Sequence, residues 1–357
     1  MSNAKYDVAA YIWPSYTGRE PRSRIFWPGE LGEWETVAKR MHQKPLWGMR
    51  DEADPAVMEH QIAEALKYGV NTFIYDWYWY DNRPFLEPCL NEGFLGATNN
   101  TQMKFYIMWA NHNVNHLWDL RNSSKDMRTV IWDAALNLAQ FREISHRWME
   151  KYFCLENYYR IDGKPVLSIF DINNFLRGLG GEGNAAKAID WLRSELVKQG
   201  FNGLHLQIIK FGGTDIFPKI KAIGADSVTH YQTACYTPAG CGYADWLPAM
   251  QAEFDMIDSH GVPYFPHVSV GWGSQPRFLK PQNDGMANCT PENIKKALLL
   301  TKSYIDTHAL TPPLLTLNSW NEWTETSYLQ PDDVNGYGYL EAVRDVFGGD
   351  GLNGYPA

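Results

Sequence analysis

Two glutamates three residues apart, Glu322 and Glu325, stand in the segment Trp320-Asn321-Glu322-Trp323-Thr324-Glu325. Carboxyls this close can divide acid and base work between them. Burying them beside indoles costs several kcal/mol unless they are hydrogen-bonded or used. Such surroundings raise the pKa of at least one, which a general acid near neutral pH requires. A glycosidic bond is a target that needs both functions. Further polar and aromatic groups cluster in Tyr75-Asp76-Trp77-Tyr78-Trp79-Tyr80-Asp81, Trp109-Ala110-Asn111-His112-Asn113, His230-Tyr231-Gln232 and Gly271-Trp272-Gly273. Glu322 and Glu325 are therefore the candidate catalytic pair. Asp76, Trp77, Tyr78, Trp79, Trp109, Asn111, His112, His230, Tyr231, Trp272, Asn321 and Trp323 are the candidate substrate-binding residues.

Each also has a structural reading. Asp76 could cap a helix or pair with an arginine, and His112 could be a satisfied loop histidine. His230 and Tyr231 could be packing, and Trp109 and Trp272 could cap the core. His267 reads as equally structural or functional. The sequence has no His-x-His, His-Glu-x-x-His or Gly-x-Ser-x-Gly. His112 and His116 are four apart, but Asn113 and Asn115 beside them favour a loop. The expectation is no metal and no other cofactor.

Composition narrows the partners. A net charge of −9 without a basic run argues against nucleic acid or an anionic membrane. No stretch approaches the roughly 20 apolar residues of a membrane span. Aromatics reach 14%, with 15 Trp and 20 Tyr, more Trp than core packing usually needs. The flat C–H faces and hydroxyl rim of a sugar suit an aromatic plane beside polar groups, so an oligo- or polysaccharide is the expected partner. The five cysteines have no zinc or disulfide-framework spacing. Cys235 and Cys241 could pair in an oxidising compartment. Met1-Ser2-Asn3-Ala4 resembles a cloning scar, leaving 5–357 as one catalytic domain. A native signal peptide could have been removed before it, so the expected location is periplasmic or secreted.

These residues need a scaffold. Eight short apolar or β-branched runs are visible: Tyr6–Trp13, Thr72–Trp79, Lys104–Trp109, Pro165–Phe170, Gly203–Ile209, Ser227–Tyr231, Pro263–Val270 and Leu314–Leu317. Helix-like segments separate them at Pro55–Tyr68, Met127–Tyr152, Ala185–Gln199, Ile216–Ile223, Tyr243–His260 and Pro291–His308. Gly338–Val346 closes the chain, and Pro84–Leu95 is the least regular of the helical segments. This alternation predicts an α/β fold, a single (β/α)8 TIM barrel. A doubly wound sheet would show a glycine-rich loop after the first strand, where Trp13-Pro14-Ser15-Tyr16-Thr17-Gly18 stands instead. In such barrels the site lies at the C-terminal ends of the strands, where the candidate residues fall. Asp76, Asn111, His230 and Glu322 should therefore meet in one cleft. Trp79, Trp109, Trp272 and Trp323 should supply at least two ring faces near the carboxyls.

The chain resembles the WbsX-like barrels related to glycoside hydrolase family 99, the endo-α-mannosidases. The resemblance rests on Phe73-Ile74-Tyr75-Asp76-Trp77-Tyr78-Trp79, Trp109-Ala110-Asn111, Tyr159–Leu167, the Trp320–Glu325 segment, Tyr328-Leu329-Gln330-Pro331-Asp332 and Gly336–Glu341. It implies a retaining α-glycosidase in which Glu322 takes the proton of the sugar 2-hydroxyl. That oxygen attacks C1 to give a 1,2-anhydro sugar, while Glu325 protonates the leaving oxygen and later activates water. His112 and Gln330 stand where the family often has glutamates. Some WbsX-like proteins are labelled glycosyltransferases in polysaccharide synthesis, although no Asp-x-Asp motif is present, so a glycosyltransferase and a non-catalytic sugar-binding barrel are the alternative readings.

Overall fold

The computed structural model describes residues 5–115, 118, 129–233, 237–238, 240–273, 276–277 and 285–348. Eight parallel strands form the wall of a (β/α)8 barrel: β1 Asp7–Ile12, β2 Thr72–Tyr80, β3 Lys104–Trp109, β4 Lys164–Ile169, β5 His205–Ile209, β6 Ser227–Thr229, β7 His267–Ser269 and β8 Leu314–Asn318. Each falls within, or within two residues of, one of the apolar runs. β1 pairs with β8 (Val8 opposite Leu315) and with β2 (Ala10 opposite Phe73). The wall closes between β6 and β7 through a Val228–Tyr264 bridge just ahead of β7. There the Val228 amide donates to the Pro263 carbonyl at 2.8 Å.

The outer layer contains α1 Pro55–Lys67, α2 Leu138–Trp148, α3 Ile172–Leu179, α4 Glu182–Lys198, α5 Ile216–Ala222, α6 Tyr243–Ser259, α7 Pro291–Thr307 and α8 Gly338–Phe347. Their starts have local causes. Asp54 accepts from the Ala56 amide, with Pro55 in the first turn of α1. Asn137 and Gln140 form a reciprocal capping box at α2. α3 was not expected from sequence. Asp171 caps it through the Asn173 and Asn174 amides, and its buried Ile172, Phe175, Leu176 and Leu179 follow helical spacing. The Pro84–Leu95 segment is not an α-helix. Arg83–Phe85 pairs antiparallel with the end of β2, and Cys89–Phe94 forms a π-helical turn.

The barrel interior is polar at its middle. Thr229 and Thr316 hydroxyls meet at 2.8 Å, and His267 Nδ1 meets Thr316 at 2.9 Å. His267 is thus a buried barrel residue. Cys89, Cys154, Cys241 and Cys289 are free thiols. Cys235, His116 and residues 1–4, which figured in the sequence reading, lie outside the described residues.

Candidate active site

Strand alternation decides what faces the axis. On β2, Asp76 and Tyr78 point into the mouth of the barrel, while Trp77 and Trp79 point to the helix layer. Met108 and Ala110 do the same around β3, with Trp109 opposite. After β6, Tyr231 points inward and His230 outward. The resulting cleft, about 280 Å³, is lined by Trp13, Asp76, Tyr78, Met108, Ala110, His112, Trp118, Phe170, Phe211, Tyr231, Arg277, Glu322 and Glu325.

The carboxyl pair sits on a short turn. Asn321-Glu322 pairs antiparallel with Ser327-Tyr328, and Trp323–Glu325 forms one 3-10 turn. Residues three apart on such a turn eclipse, so both carboxyls face the same space. Both are nearly inaccessible to solvent. The Tyr231 hydroxyl lies 2.9 Å from Asp76 and 2.8 Å from Glu322. It has one hydrogen to donate and two carboxyl neighbours, so one of those neighbours has to carry a proton. Asn318 Nδ2 approaches Glu322 at 3.4 Å. Arg277 spans the pair, with Nη1 at 2.5 Å from Glu325 and Nη2 at 3.4 Å from Glu322. Its guanidinium also lies over the Trp13 ring, 5.8 Å from the centroid.

Burial is the main force on the proton affinities, and the mutual repulsion of the carboxyls adds to it. Asp76 is held well above the usual carboxylate range by burial and by Glu322. Glu322 is raised by burial and by Glu325, and Glu325 is raised by burial, with Arg277 opposing in both cases. Burial lowers His112 and favours its neutral ring.

A second layer of polar groups fixes the turn. Buried Glu52 accepts from Gln61 at 3.0 Å, Gln330 at 3.2 Å and Asn321 at 2.7 Å. The oxygen of each amide is used as well. Gln61 accepts the Trp320 indole N–H, Gln330 the Trp323 indole N–H, and Asn321 the Trp13 amide. Asn321 and Trp323 therefore orient the turn instead of lining the cleft. Trp323 is also stacked on Tyr328, with centroids 3.6 Å apart. Gln330 has to donate to Glu52 and accept from Trp323 at once, which an ionised glutamate cannot do.

Several candidate binding residues thus sit elsewhere. Trp77 donates to Glu87 at 2.9 Å and stacks on Trp79. Trp109 packs among Phe141, Trp148 and Phe175. Asn111 ties β3 to the start of α3, donating to the Asp171 carbonyl and accepting from its amide, both at 2.7 Å. Trp272 is half-buried outside the cleft lining. The expected convergence holds for Asp76 and Glu322 but not for Asn111 and His230. None of the four tryptophans expected as platforms lines the cleft. Its aromatic wall is Trp13, Tyr78, Trp118, Phe170, Phe211 and Tyr231. His230 faces a larger cavity of about 450 Å³ between α6 and the outer side of the wall. There it is paired with Tyr264 and Glu253, and Lys210 lies 2.6 Å from Glu253. That cavity is larger than the cleft, and among its described lining residues the carboxyls are Asp245 and Glu253, with Glu253 tied to His230 and Lys210. Sequence reasoning missed Arg277, Trp13, Trp118, Phe170, Glu33 and Glu52. The Trp13-Pro14-Ser15 stretch, just past β1, was the one available signal.

The family model described as "Glycosyltransferase WbsX" matches residues 26–343. The chain belongs to the WbsX family. Proteins called WxcX from two strains of Xanthomonas campestris pv. campestris are 23% identical to this WbsX chain over 349 residues. The match covers 91% of this chain but 47% of theirs, so the chain spans about half the length of these relatives. Among solved structures, a glycoside hydrolase-like protein superposes with a TM-score of 0.63 at 15% identity, covering 97% of this chain and 95% of the other. The family 99 endo-α-mannosidase of Bacteroides thetaiotaomicron, in complex with bis-tris propane, superposes with a TM-score of 0.59 at 16% identity, covering 97% of each chain. At these identities the likeness establishes the barrel that the WbsX chain shares with them.

Proposed function

We propose that the protein is a retaining glycosidase that cleaves α-linked, mannose-like sugars in a complex polysaccharide through a 1,2-anhydro sugar. The observation that carries this reading is the Asp76–Tyr231–Glu322 chain beside Glu325. With the proton on Asp76, Tyr231 accepts from Asp76 and donates to Glu322, leaving Glu322 charged as a base. Glu322 takes the proton of the sugar 2-hydroxyl, and that oxygen attacks C1. Glu325 gives its proton to the departing oxygen as the C1–O bond breaks. In the second step Glu325 takes a proton from water, and the water oxygen attacks C1. The C1–O2 bond opens, and O2 recovers its proton from Glu322. The displacement needs O2 and the leaving oxygen on opposite faces of the ring, which α-mannosides provide. The pair carries one negative charge throughout, moving from Glu322 to Glu325 and back. Arg277, lying across both, can balance it in either place.

A conventional carboxylate nucleophile is separated from this scheme by substrate and variant together. Glu325→Gln should lose roughly 10²–10⁴-fold on substrates with poor leaving groups and be partly spared on activated aryl glycosides in the first step. Glu322→Gln should be impaired on both. Cleavage of a 2-deoxy glycoside at a normal rate would overturn the anhydro-sugar route. The name of the family, glycosyltransferase WbsX, favours a second reading, in which an acceptor sugar hydroxyl replaces water and the protein is a transferase. Products from a panel of mannans and of plant and bacterial polysaccharides, with a nucleotide-sugar binding assay, distinguish the two.

A further inference from the structure

Glu33 lies far from the carboxyl pair in sequence, just ahead of the four-residue helix Trp34–Val37. Its side chain is nevertheless built into the wall behind that pair. Glu33 is 2% exposed. One oxygen accepts from the Trp13 indole N–H at 2.5 Å and the Ser15 hydroxyl at 2.7 Å, and the other accepts from the Thr324 hydroxyl at 2.9 Å. All three partners donate, so the arrangement suits a charged carboxylate, and hydrogen bonds to an ionised acceptor are the stronger kind. Trp13 is a cleft wall, and Thr324 lies between Glu322 and Glu325 on the turn.

We propose that Glu33 is a positioning residue of this site: its carboxylate holds the Trp13 face and the Trp323–Glu325 turn in place, and its charge sets which of Glu322 and Glu325 carries the proton. This rests on the acid–base roles proposed above. Arg277, paired with Glu325, pulls it towards its charged form, whereas the acid of the first step has to be protonated. Glu33 opposes that pull in two ways. Its charge repels a charge on Glu325 and attracts Arg277. The other groups that face Glu325 are Glu322, Asp76 and Tyr231. Of the four carboxyls in this group, Glu33 alone has all of its contacts from the Trp13–Ser15 and Thr324 side. It is not among the residues that line the cleft and so stays clear of the substrate.

The test reads proton affinity directly and needs no known substrate. Wild type and Glu33→Gln are labelled with 13C at the glutamate carboxyls, and the Glu325 signal is assigned by its loss in Glu325→Gln. Removing the Glu33 charge should move the Glu325 titration down by about one pH unit, the size expected for losing a close like charge. Ser15→Ala removes one hydrogen bond of Glu33 but leaves its charge, so it should leave that titration in place. Glu33→Asp keeps the charge and should restore most of the shift. An unchanged Glu325 titration in Glu33→Gln, or an equal shift in Ser15→Ala, would overturn the proposal. Where a cleavable glycan is in hand, the basic limb of the pH–rate profile should move down with the titration. An absence of glycan cleavage by the wild type would count against the proposed function and leave the titration result standing.

Discussion

At the scale of single residues, the central feature is a phenol with one hydrogen between two carboxyls. Tyr231 links Asp76 and Glu322 through one hydroxyl, inside a buried space where two bare charges would repel. Tyr231→Phe should leave the fold intact, because the ring still packs on Tyr11 and Phe170. It should lower kcat/KM by about 10²-fold, the lower end of what a proton-handling group contributes. Paired rate and circular dichroism measurements check this, and full activity would remove Tyr231 from the mechanism. Gln330 makes a second residue-level point. It donates to Glu52 and accepts from Trp323 at once, which an amide can do and an ionised carboxylate cannot.

At the scale of elements, the turn after β8 is held by contacts from distant parts of the chain. Glu52, at the approach to α1, reaches it through Gln61 of α1, through Gln330 beyond the turn, and through Asn321 within it. Each amide is fixed in orientation because its oxygen is also in use. Gln330→Glu places a second carboxyl against Glu52 and removes a donor. Leaving buried polar groups unpaired should destabilise the protein by about 1–3 kcal/mol, more at pH 8 than at pH 5 because both carboxyls are then charged. Urea unfolding at the two pH values measures this, and equal stability to wild type would show that the hub does not hold the turn.

At the scale of the whole molecule, the clustered buried carboxyls make stability depend on pH. Burial pushes Glu52 from an ordinary value of 4.5 up to about 7. The folded protein binds this proton more tightly than the unfolded chain. Its contribution is therefore fully present below about pH 4.5, is lost as pH rises to about 7, and stays lost above that. The loss amounts to about 3 kcal/mol. Glu52→Gln cannot titrate, so its stability should fall less than that of wild type between pH 5 and pH 8. Parallel stability curves for the two proteins over that range would refute the assignment. Asp76, Glu322 and Glu325 are raised too and act in the same direction.

The amino-acid sequence determined the barrel and the carboxyl pair by itself, because both are local signals. Each strand is a short apolar run between turn residues, and two glutamates three apart on one turn need no distant partner to face the same way. The alternation of strands was also legible. Once Asp76 faces inward, Trp77 and Trp79 cannot line the same cleft, nor can His230 join Tyr231. What only the tertiary structure decided is which rings form the walls and which charges surround the pair. Glu33 and Glu52 come from the long connection between β1 and α1, and Arg277 comes from the connection between β7 and α7. Their nearness to Glu322 follows from closure of the wall between β6 and β7 and from the pairing of β1 with β8, and no local spacing in the chain encodes it.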